Sequence, residues 1–323
     1  MHQINRVPVA VLLLTLSALG LLSFSQAPAL AQDDQATFTT GVRLVQLYCG
    51  VFDKRGRMVT DLPRESFKVY ENNVEQSIRL FRREDIPISL GLIIDNSGSM
   101  RNKRQKVEAA AIRLVKASKR NDEVFVVNFN DDAYLDVPFT SDISKLEEGV
   151  ARIDSRGGTA LRDAISMSID HLRAEGKKDK KVLLVVTDGN DTASVGITLE
   201  KLVEKAQKSG VLIYTIGILG EEDKREAKKA QRAMDSLTKA SGGAAYYPDS
   251  ASEVETIADQ VANDIRNQYV IAYSPANQEL DGTYRTIKVS AGARFTVRTR
   301  SGYYATPDDT PHRRTGTPSG AGD

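Results

Sequence analysis

Oxygen-bearing side chains recur at regular spacing directly after one apolar stretch of the chain. Residues 90–94 are apolar or glycine, and Asp95, Ser97 and Ser99 follow at alternate positions, with Gly98 allowing a sharp turn between the serines. A carboxylate and two neutral hydroxyls on one loop suit a hard divalent cation such as Mg²⁺, because that ion prefers oxygen ligands and keeps part of its water. The structural alternative is that Ser99 only caps a following helix.

Two segments further along the chain place more oxygen ligands where such a cation would need them. Thr159 follows a pair of glycines at the expected start of a helix, so it is either a helix cap or a ligand. Asp188 ends an apolar run and precedes Gly189, a pattern that a simple turn would also explain. Two apolar runs that end in a carboxylate, with a hydroxyl-bearing glycine loop between them, favour a metal site over separate turns. The candidate ligands are Asp95, Ser97, Ser99, Thr159 and Asp188.

The elements that must position these residues alternate between strand and helix from residue 87 to residue 265. Uninterrupted apolar runs such as 123–129 and 181–188 are typical of strands that are buried on both faces of a parallel sheet. The alternation predicts an α/β domain with a doubly wound, mostly parallel sheet, in which ligands lie beyond the carboxyl ends of the strands. The predicted helices span residues 101–120, 143–153, 159–175, 198–209, 221–240 and 253–265.

Segments with alternating polar and apolar residues flank this domain on both sides. Residues 32–86 and 266–305 each contain short predicted strands separated by turn-forming residues. These strands include residues 67–70 and 76–82 in the first segment and residues 268–273, 284–290 and 295–300 in the second. Neither segment has enough strands to bury a core alone, so we predict that both pack together as one small β domain with the α/β domain inserted between them. Residues 306–323 show no periodicity and are predicted to form a disordered tail.

The first 31 residues resemble a secretory signal peptide. Arg6 precedes a mostly apolar run over residues 7–22, and Ala29–Leu30–Ala31 matches a small-x-small cleavage site. We therefore expect an exported chain, periplasmic or secreted, that begins at Gln32 and has no stable membrane anchor. An uncleaved anchor is the alternative. Cys49 is the single cysteine, so it cannot form an intrachain disulfide, and a buried apolar role is expected for it.

Composition excludes several classes of function. The chain has 44 Lys and Arg and 43 Asp and Glu, a net charge of +1 that gives no electrostatic reason to expect nucleic-acid binding. Its three histidines are His2 in the predicted leader, His312 in the predicted tail and His171 at an apolar-facing helix position. This distribution argues against a catalytic triad or a histidine-rich metal site.

The set Asp95-x-Ser97-x-Ser99, Gly158–Thr159 and Asp188–Gly189 resembles the von Willebrand factor type A domain with an intact metal-ion-dependent adhesion site. The resemblance covers about residues 88–265. It implies that Ser97 and Ser99 bind the metal directly, that Thr159 does so in the ligand-engaged state, and that Asp95 and Asp188 act largely through water. It also implies Mg²⁺, or another divalent cation such as Mn²⁺ or Ca²⁺, and a protein partner that supplies a carboxylate as the last ligand.

The flanking segments carry a second, looser resemblance. Residues 59–62 and 67–72 before the domain, with residues 269–273 and 300–304 after it, are similar to an acidobacterial-type family of exported bacterial proteins built on this domain. The function of that family is not established, so this resemblance implies architecture more than activity.

Three classes of function are compatible with these observations. The leading hypothesis is a binding protein, not an enzyme, that captures an acidic side chain of a partner outside the cytoplasm. The alternative is a structural or assembly factor of the cell envelope in which the metal only stabilises the domain. An enzyme with a metal-bound water is the third class, but no candidate base stands out in the sequence. The oligomeric state and the identity of the partner do not follow from the sequence.

Overall fold

The computed structural model describes residues 43–83, 85–151, 155–219, 223–250 and 253–307. The predicted signal peptide and nearly all of the predicted tail lie outside these residues, so both stay predictions. Within the described residues, no helix is both long and apolar enough to cross a membrane.

Within the described residues, strands come first and last, and strands alternate with helices between them. The strands are β1 (Val45–Phe52), β2 (Lys68–Glu71), β3 (Val74–Gln76), β4 (Ile78–Arg82), β5 (Ile88–Asp95), β6 (Glu123–Phe129), β7 (Ala133–Thr140), β8 (Lys180–Thr187), β9 (Leu212–Gly217), β10 (Ala245–Tyr246), β11 (Tyr269–Tyr273), β12 (Tyr284–Ser290), β13 (Thr296–Arg298) and β14 (Gly302–Tyr304). The helices are α1 (Arg104–Lys116), α2 (Ile143–Ala151), α3 (Leu161–Glu175), α4 (Leu199–Ser209), α5 (Lys224–Ser241) and α6 (Val254–Arg266).

The central sheet has the strand order β10-β9-β8-β5-β6-β7. All neighbouring pairs are parallel except β6 and the edge strand β7, which are antiparallel. The chain runs outward from β5 through β6 to β7, and then returns to the other side of β5 at β8, so the strand order reverses between β5 and β8. The α/β prediction is therefore confirmed, and the reversal lies where Asp95 and Asp188 leave the sheet.

Helices cover both faces of this sheet, which explains why residues 90–94 of β5 and 182–186 of β8 are apolar or glycine at every position. Leu92 and Ile94 pack in a core with α1, α2 and α6, whereas Ile93 packs in a second core with α3, α4 and α5. Gly91 is closely packed, since a Cβ there would approach the Phe125 side chain to 2.4 Å. A side chain at position 91 would force the sheet core to shift.

The two flanking segments pair with each other. β1 and β11 are antiparallel, with Leu47 opposite Ile271, and they belong to a four-stranded sheet of order β13-β1-β11-β4. A second sheet of order β14-β12-β2-β3 shares one hydrophobic core with it, in which the fully buried Cys49 lies. Burial raises the pKa of the Cys49 thiol to about 12, so the thiol is unreactive. The fold thus joins a β sandwich, built from both ends of the described chain, to the α/β layer structure.

The structure differs from the sequence prediction at a few elements. The single strand expected over residues 76–82 is two strands, because β3 pairs with β2 in one sheet and β4 pairs with β11 in the other. The helix expected from residue 101 begins at Arg104, after a 3-10 turn over Gly98–Met100. β14 was not expected, and it pairs with β12.

Candidate metal centre

Three of the predicted ligands come together at the end of β5. Asp95 is the last residue of that strand, and its Oδ1 accepts a hydrogen bond of 2.9 Å from the backbone N–H of Ser97. The Oγ atoms of Ser97 and Ser99 lie 3.0 Å apart, one on each side of the tight turn at Gly98. The alternative role of Ser99 as a helix cap is wrong, because α1 begins after Lys103 and has no side-chain cap.

The second oxygen of Asp95 is held by the neighbouring strand β8. Thr187 Oγ1 donates a hydrogen bond of 2.6 Å to Asp95 Oδ2 and accepts one of 2.9 Å from the backbone N–H of Gly189. Burial raises the pKa of Asp95 to about 6; hydrogen bonds from Ser97 and Thr187 oppose this shift, and the negative charge of Asp188 adds to it. Asp95 is thus a buried, oriented carboxylate next to a second carboxylate, an arrangement that a cation would stabilise.

Asp188 has a buried carboxylate oxygen that no described residue satisfies. The residue is 6% exposed, and its Oδ1 atom is buried with no hydrogen-bond partner among the described residues. Its Oδ2 lies 3.8 Å from Nζ of Lys103, which donates a hydrogen bond of 2.7 Å to the carbonyl oxygen of Ile218. Because buried polar atoms are nearly always paired, the unpaired Oδ1 fits a site for a cation or for water bound to it. Lys103 balances part of the negative charge at this position.

The loop before α3 brings Thr159 toward the same end of the sheet. The backbone N–H of Gly98 donates a hydrogen bond of 3.1 Å to the carbonyl oxygen of Gly157, which joins this loop to the serine loop. The backbone N–H of Thr159 donates to Thr192 Oγ1 at 3.0 Å, and its carbonyl oxygen accepts from the backbone N–H of Thr192, also at 3.0 Å. The N-cap of α3 is Ala160, so the alternative role of Thr159 as a cap is wrong.

The glycines at positions 157 and 158 allow the backbone to pack closely against Asp131, and they also give this loop conformational freedom. Gly157 has φ +75°, and a Cβ there would lie 2.2 Å from Oδ2 of Asp131. The backbone N–H of Gly158 donates a hydrogen bond of 2.7 Å to Oδ1 of the same carboxylate. Asp131 therefore anchors the loop that carries Thr159, a contact that no local sequence pattern indicates.

A metal at this position would depend on hydroxyls more than on charged ligands. In the part of the chain that the structure describes, no three His, Cys, Asp or Glu side chains form a group that could hold a metal ion. The two carboxylates and three hydroxyls at the β5–β8 reversal fit an oxygen-loving divalent cation. His171 takes no part in this site, because its ring packs in a cluster with Phe125 and Phe139 at centroid distances of 4.7 and 5.2 Å.

Comparison with known proteins agrees with the fold. The profile of the von Willebrand factor type A domain matches residues 90–260. An uncharacterized protein of Borreliella burgdorferi is 30% identical over 142 residues, which are 43% of this chain and 40% of that protein. Integrin alpha-11 of Mus musculus is 31% identical over 111 residues, 32% of this chain and 9% of that protein. The chain thus spans less than half the length of these curated relatives.

Among solved structures, the von Willebrand factor type A protein from Catenulispora acidiphila superposes with a TM-score of 0.47 and 13% sequence identity. The aligned region covers 83% of this chain and 75% of that one.

Proposed function

Because the chain belongs to the von Willebrand factor type A domain family, we propose that it is an exported, metal-dependent protein-binding module that captures an acidic side chain of a partner. The observation that carries this proposal is the buried, unpaired Oδ1 of Asp188 at the strand-order reversal that also holds Asp95. We propose a binding protein and not an enzyme, and a screen of ester, phosphate and peptide substrates checks that part.

The proposed ligands divide into two groups by charge. Ser97, Ser99 and Thr159 offer neutral hydroxyl oxygens, whereas Asp95 and Asp188 supply negative charge, largely through bound water. When bound, Mg²⁺ supplies a Lewis-acidic centre whose remaining coordination position accepts an anionic oxygen. The five side chains would hold the cation without cancelling its attraction for a carboxylate.

The surrounding residues fix the orientation of these ligands before any partner arrives. Thr187 and the backbone of Ser97 each hold one oxygen of Asp95, which keeps that carboxylate in a single orientation. Thr192 holds the backbone of Thr159 on both sides of the residue. Ligands that are held in place lose little conformational entropy on binding, which favours affinity.

If the partner binds through a carboxylate on the metal, its binding depends on the cation. We would test this by immobilising the exported chain and collecting cell-envelope proteins in three buffers: Mg²⁺, chelator, and chelator followed by excess Mg²⁺. The expected result is a partner that is released by chelator and recovered with Mg²⁺, and that is not retained by Asp95→Ala. Asp259→Ala is the matched control, because Asp259 is an exposed aspartate of α6 that pairs with Arg113 and lies outside the proposed site.

The same chelator experiment distinguishes metal-dependent capture from the alternative function. A stable, chelator-resistant complex that forms equally with Asp95→Ala would contradict capture through the metal. That result would favour a structural or assembly factor of the envelope, in which the cation only stabilises the domain.

A further inference from the structure

One face of α5 carries four cationic side chains beside the candidate metal centre. Arg225, Lys228, Lys229 and Arg232 occupy positions i, i+3, i+4 and i+7 of the helix, a spacing that places them on one face, and all four are exposed. Within the described residues, one ion pair involves this set, between Lys229 and Glu226 at 3.6 Å. The α5 face therefore has an excess of positive charge, although the net charge of the chain is only +1.

Like charges at these spacings oppose the formation of the helix. Side chains three or four positions apart are neighbours on a helix, so both Lys228 and Lys229 adjoin Arg225 on one side and Arg232 on the other. The helix α4 shows the opposite arrangement, because its Lys208 pairs with Glu204 at 2.6 Å. Helix stability alone does not account for the row of cations on α5, whereas an anionic partner would relieve their repulsion.

The helix α5 packs directly on the loop that follows Asp188. A Cβ at Gly189 would lie 2.7 Å from Cβ of Ala230 and 2.9 Å from Cε of Met234, two buried residues of α5. The four basic side chains and residues 189–192 also border one recess of about 850 Å³. The α5 face is therefore within reach of a chain segment that is bound at the metal centre.

We propose that the α5 face binds additional acidic residues of the protein segment whose carboxylate is captured at the metal centre. This inference rests on the proposed function for the metal-bound carboxylate, whereas the contact with α5 needs only opposite charge. With a rise of about 1.5 Å per residue, the α5 face is about 10 Å long, a distance that about three residues of an extended segment span. The partner therefore carries an acidic cluster and not a single acidic side chain.

Two other anionic ligands match the α5 face less well. A helix that lies on a membrane surface combines cations with exposed apolar side chains. Within the described residues, none of the exposed large apolar side chains belongs to α5. For nucleic acid, the balanced charge of the chain gives no long-range attraction. An acidic protein segment requires neither feature.

The test compares two synthetic peptides by fluorescence anisotropy with the full chain at low ionic strength. One is a glycine–serine peptide with a single central glutamate, and the other has five consecutive glutamates at its centre. In Mg²⁺ we expect the five-glutamate peptide to bind at least about twentyfold tighter, beyond the gain of about fivefold that five equivalent carboxylates give by number alone. In chelator it should still bind weakly, because the contact with α5 is electrostatic.

The double variant Lys228→Gln/Arg232→Gln removes half of the positive charges of the α5 face. It should weaken binding of the five-glutamate peptide about five- to tenfold and leave binding of the single-glutamate peptide unchanged. Its thermal unfolding midpoint should stay the same or rise, because repulsion between like charges is relieved.

The matched control is Lys54→Gln/Arg55→Gln. It removes one lysine and one arginine that are exposed in the turn after β1, so it changes the net charge by the same amount away from α5. It should bind both peptides like the wild type.

The proposed function and the α5 contact fail in different ways. If both peptides bind equally in Mg²⁺ and in chelator, metal capture is contradicted, but weaker binding of the five-glutamate peptide by Lys228→Gln/Arg232→Gln alone would still support the α5 contact. The α5 contact is overturned if the five-glutamate peptide binds in neither buffer, if the wild type and Lys228→Gln/Arg232→Gln bind it equally, or if both double variants weaken it equally. It is also overturned if a DNA duplex or phosphatidylglycerol vesicles bind in place of the peptide and Lys228→Gln/Arg232→Gln abolishes that binding.

Discussion

Thr187 donates a hydrogen bond of 2.6 Å from its Oγ1 to Oδ2 of Asp95, although the two residues lie 92 positions apart in the sequence. The bond crosses from β8 to β5 at the point where the strand order of the central sheet reverses. It holds one oxygen of the Asp95 carboxylate, and the other oxygen accepts a hydrogen bond from the backbone N–H of Ser97. The orientation of Asp95 therefore depends on a residue outside the motif that carries it.

Thr187→Val tests this relationship directly. The substitution keeps the shape of the side chain but removes the donor to Asp95 and the acceptor of the Gly189 N–H. Two buried polar groups then lose their partner, so we expect the free energy of unfolding to fall by about 1–3 kcal/mol and Mg²⁺ affinity to fall as well. Urea denaturation and calorimetry measure these two quantities.

Thr215→Val is the matched control for that variant. Thr215 is a buried threonine of the adjacent strand β9, and its Oγ1 has no hydrogen-bond partner among the described residues. Its replacement should leave stability unchanged or raise it, because no bond is lost. Equal destabilisation by both substitutions would show that the Thr187–Asp95 bond has no special role.

Lys103→Met should strengthen binding of Mg²⁺. Nζ of Lys103 lies 3.8 Å from Asp188 Oδ2 and competes electrostatically with a cation at that carboxylate. Removal of this charge should lower the dissociation constant for Mg²⁺ about three- to tenfold at low ionic strength. Lys116→Met, which removes an exposed ammonium paired with Glu147, should leave the constant unchanged. Weaker binding by Lys103→Met would mean that the lysine supports the site.

Glu71→Ala tests the pairing of the two flanking segments. Glu71 of β2 is buried, forms an ion pair of 3.3 Å with Arg285, and accepts hydrogen bonds of 2.6 and 2.9 Å from the hydroxyls of Tyr273 and Tyr303. Its loss removes the buried carboxylate nearest to the Arg285 guanidinium and the acceptor of both tyrosine hydroxyls, and leaves Arg285 with the more exposed Asp281 at 3.7 Å. We therefore expect a destabilisation of about 3–5 kcal/mol in urea denaturation.

The control for this variant is Glu75→Ala on β3. Glu75 pairs with Lys68 at 3.4 Å, and both side chains are more than half exposed. Exposed pairs contribute little, so a change below about 1 kcal/mol is expected. If Glu71→Ala were equally mild, the buried cluster would not stabilise the sandwich.

Lys180 should make stability depend on pH above neutrality. The side chain is buried, lies 5.0 Å from the centroid of the Tyr48 ring, and donates to Ile265 O. Burial, with a smaller effect from the charge of Arg266, lowers the pKa of Lys180 to about 7, whereas an unfolded lysine titrates near 10.5. Between these values the unfolded chain binds the extra proton, so stability rises with pH.

The comparison of wild type with Lys180→Met isolates this dependence. From pH 7 to pH 9.5 the wild type should gain up to about 1 kcal/mol per pH unit relative to Lys180→Met in urea denaturation. Lys177→Met, which replaces an exposed lysine of the preceding loop, should follow the wild type. Parallel pH profiles for wild type and Lys180→Met would contradict the lowered pKa.

The spacing of apolar residues predicted most of the fold, because the helices and the central strands each have a clear pattern of apolar residues along the sequence. Residues 90–94 and 182–186 are apolar or glycine at every position since both faces of the sheet are covered, and the ends of these runs identify Asp95 and Asp188. The pairing of the N- and C-terminal strands was predicted on a different ground, because neither segment has enough strands to bury a core alone.

What the sequence did not indicate are contacts between distant segments. Thr187, Thr192 and Asp131 are ordinary strand or loop residues by type, and only the folded chain brings them to Asp95, Thr159 and Gly158. The break at Ser77 was missed for a related reason. Its flanking residues alternate as one strand would, and only the sheet partners differ on its two sides.

The central claim, that the five predicted residues form a Mg²⁺ site with divided roles, is tested most directly by calorimetric titration of Mg²⁺ into the wild type, Asp95→Ala and Thr159→Ala. Asp95→Ala removes one of two neighbouring buried carboxylates, which relieves their repulsion. It also takes the acceptor from Thr187 Oγ1 and from the Ser97 N–H, so the variant should fold, with the two effects opposing each other in its stability without metal. Its affinity for Mg²⁺ should fall at least about tenfold. Thr159→Ala keeps both charges, and Thr192 still holds its backbone, so it should retain much of the affinity. Equal losses in the two variants would contradict the division of roles, and unchanged binding by Asp95→Ala would contradict the site itself.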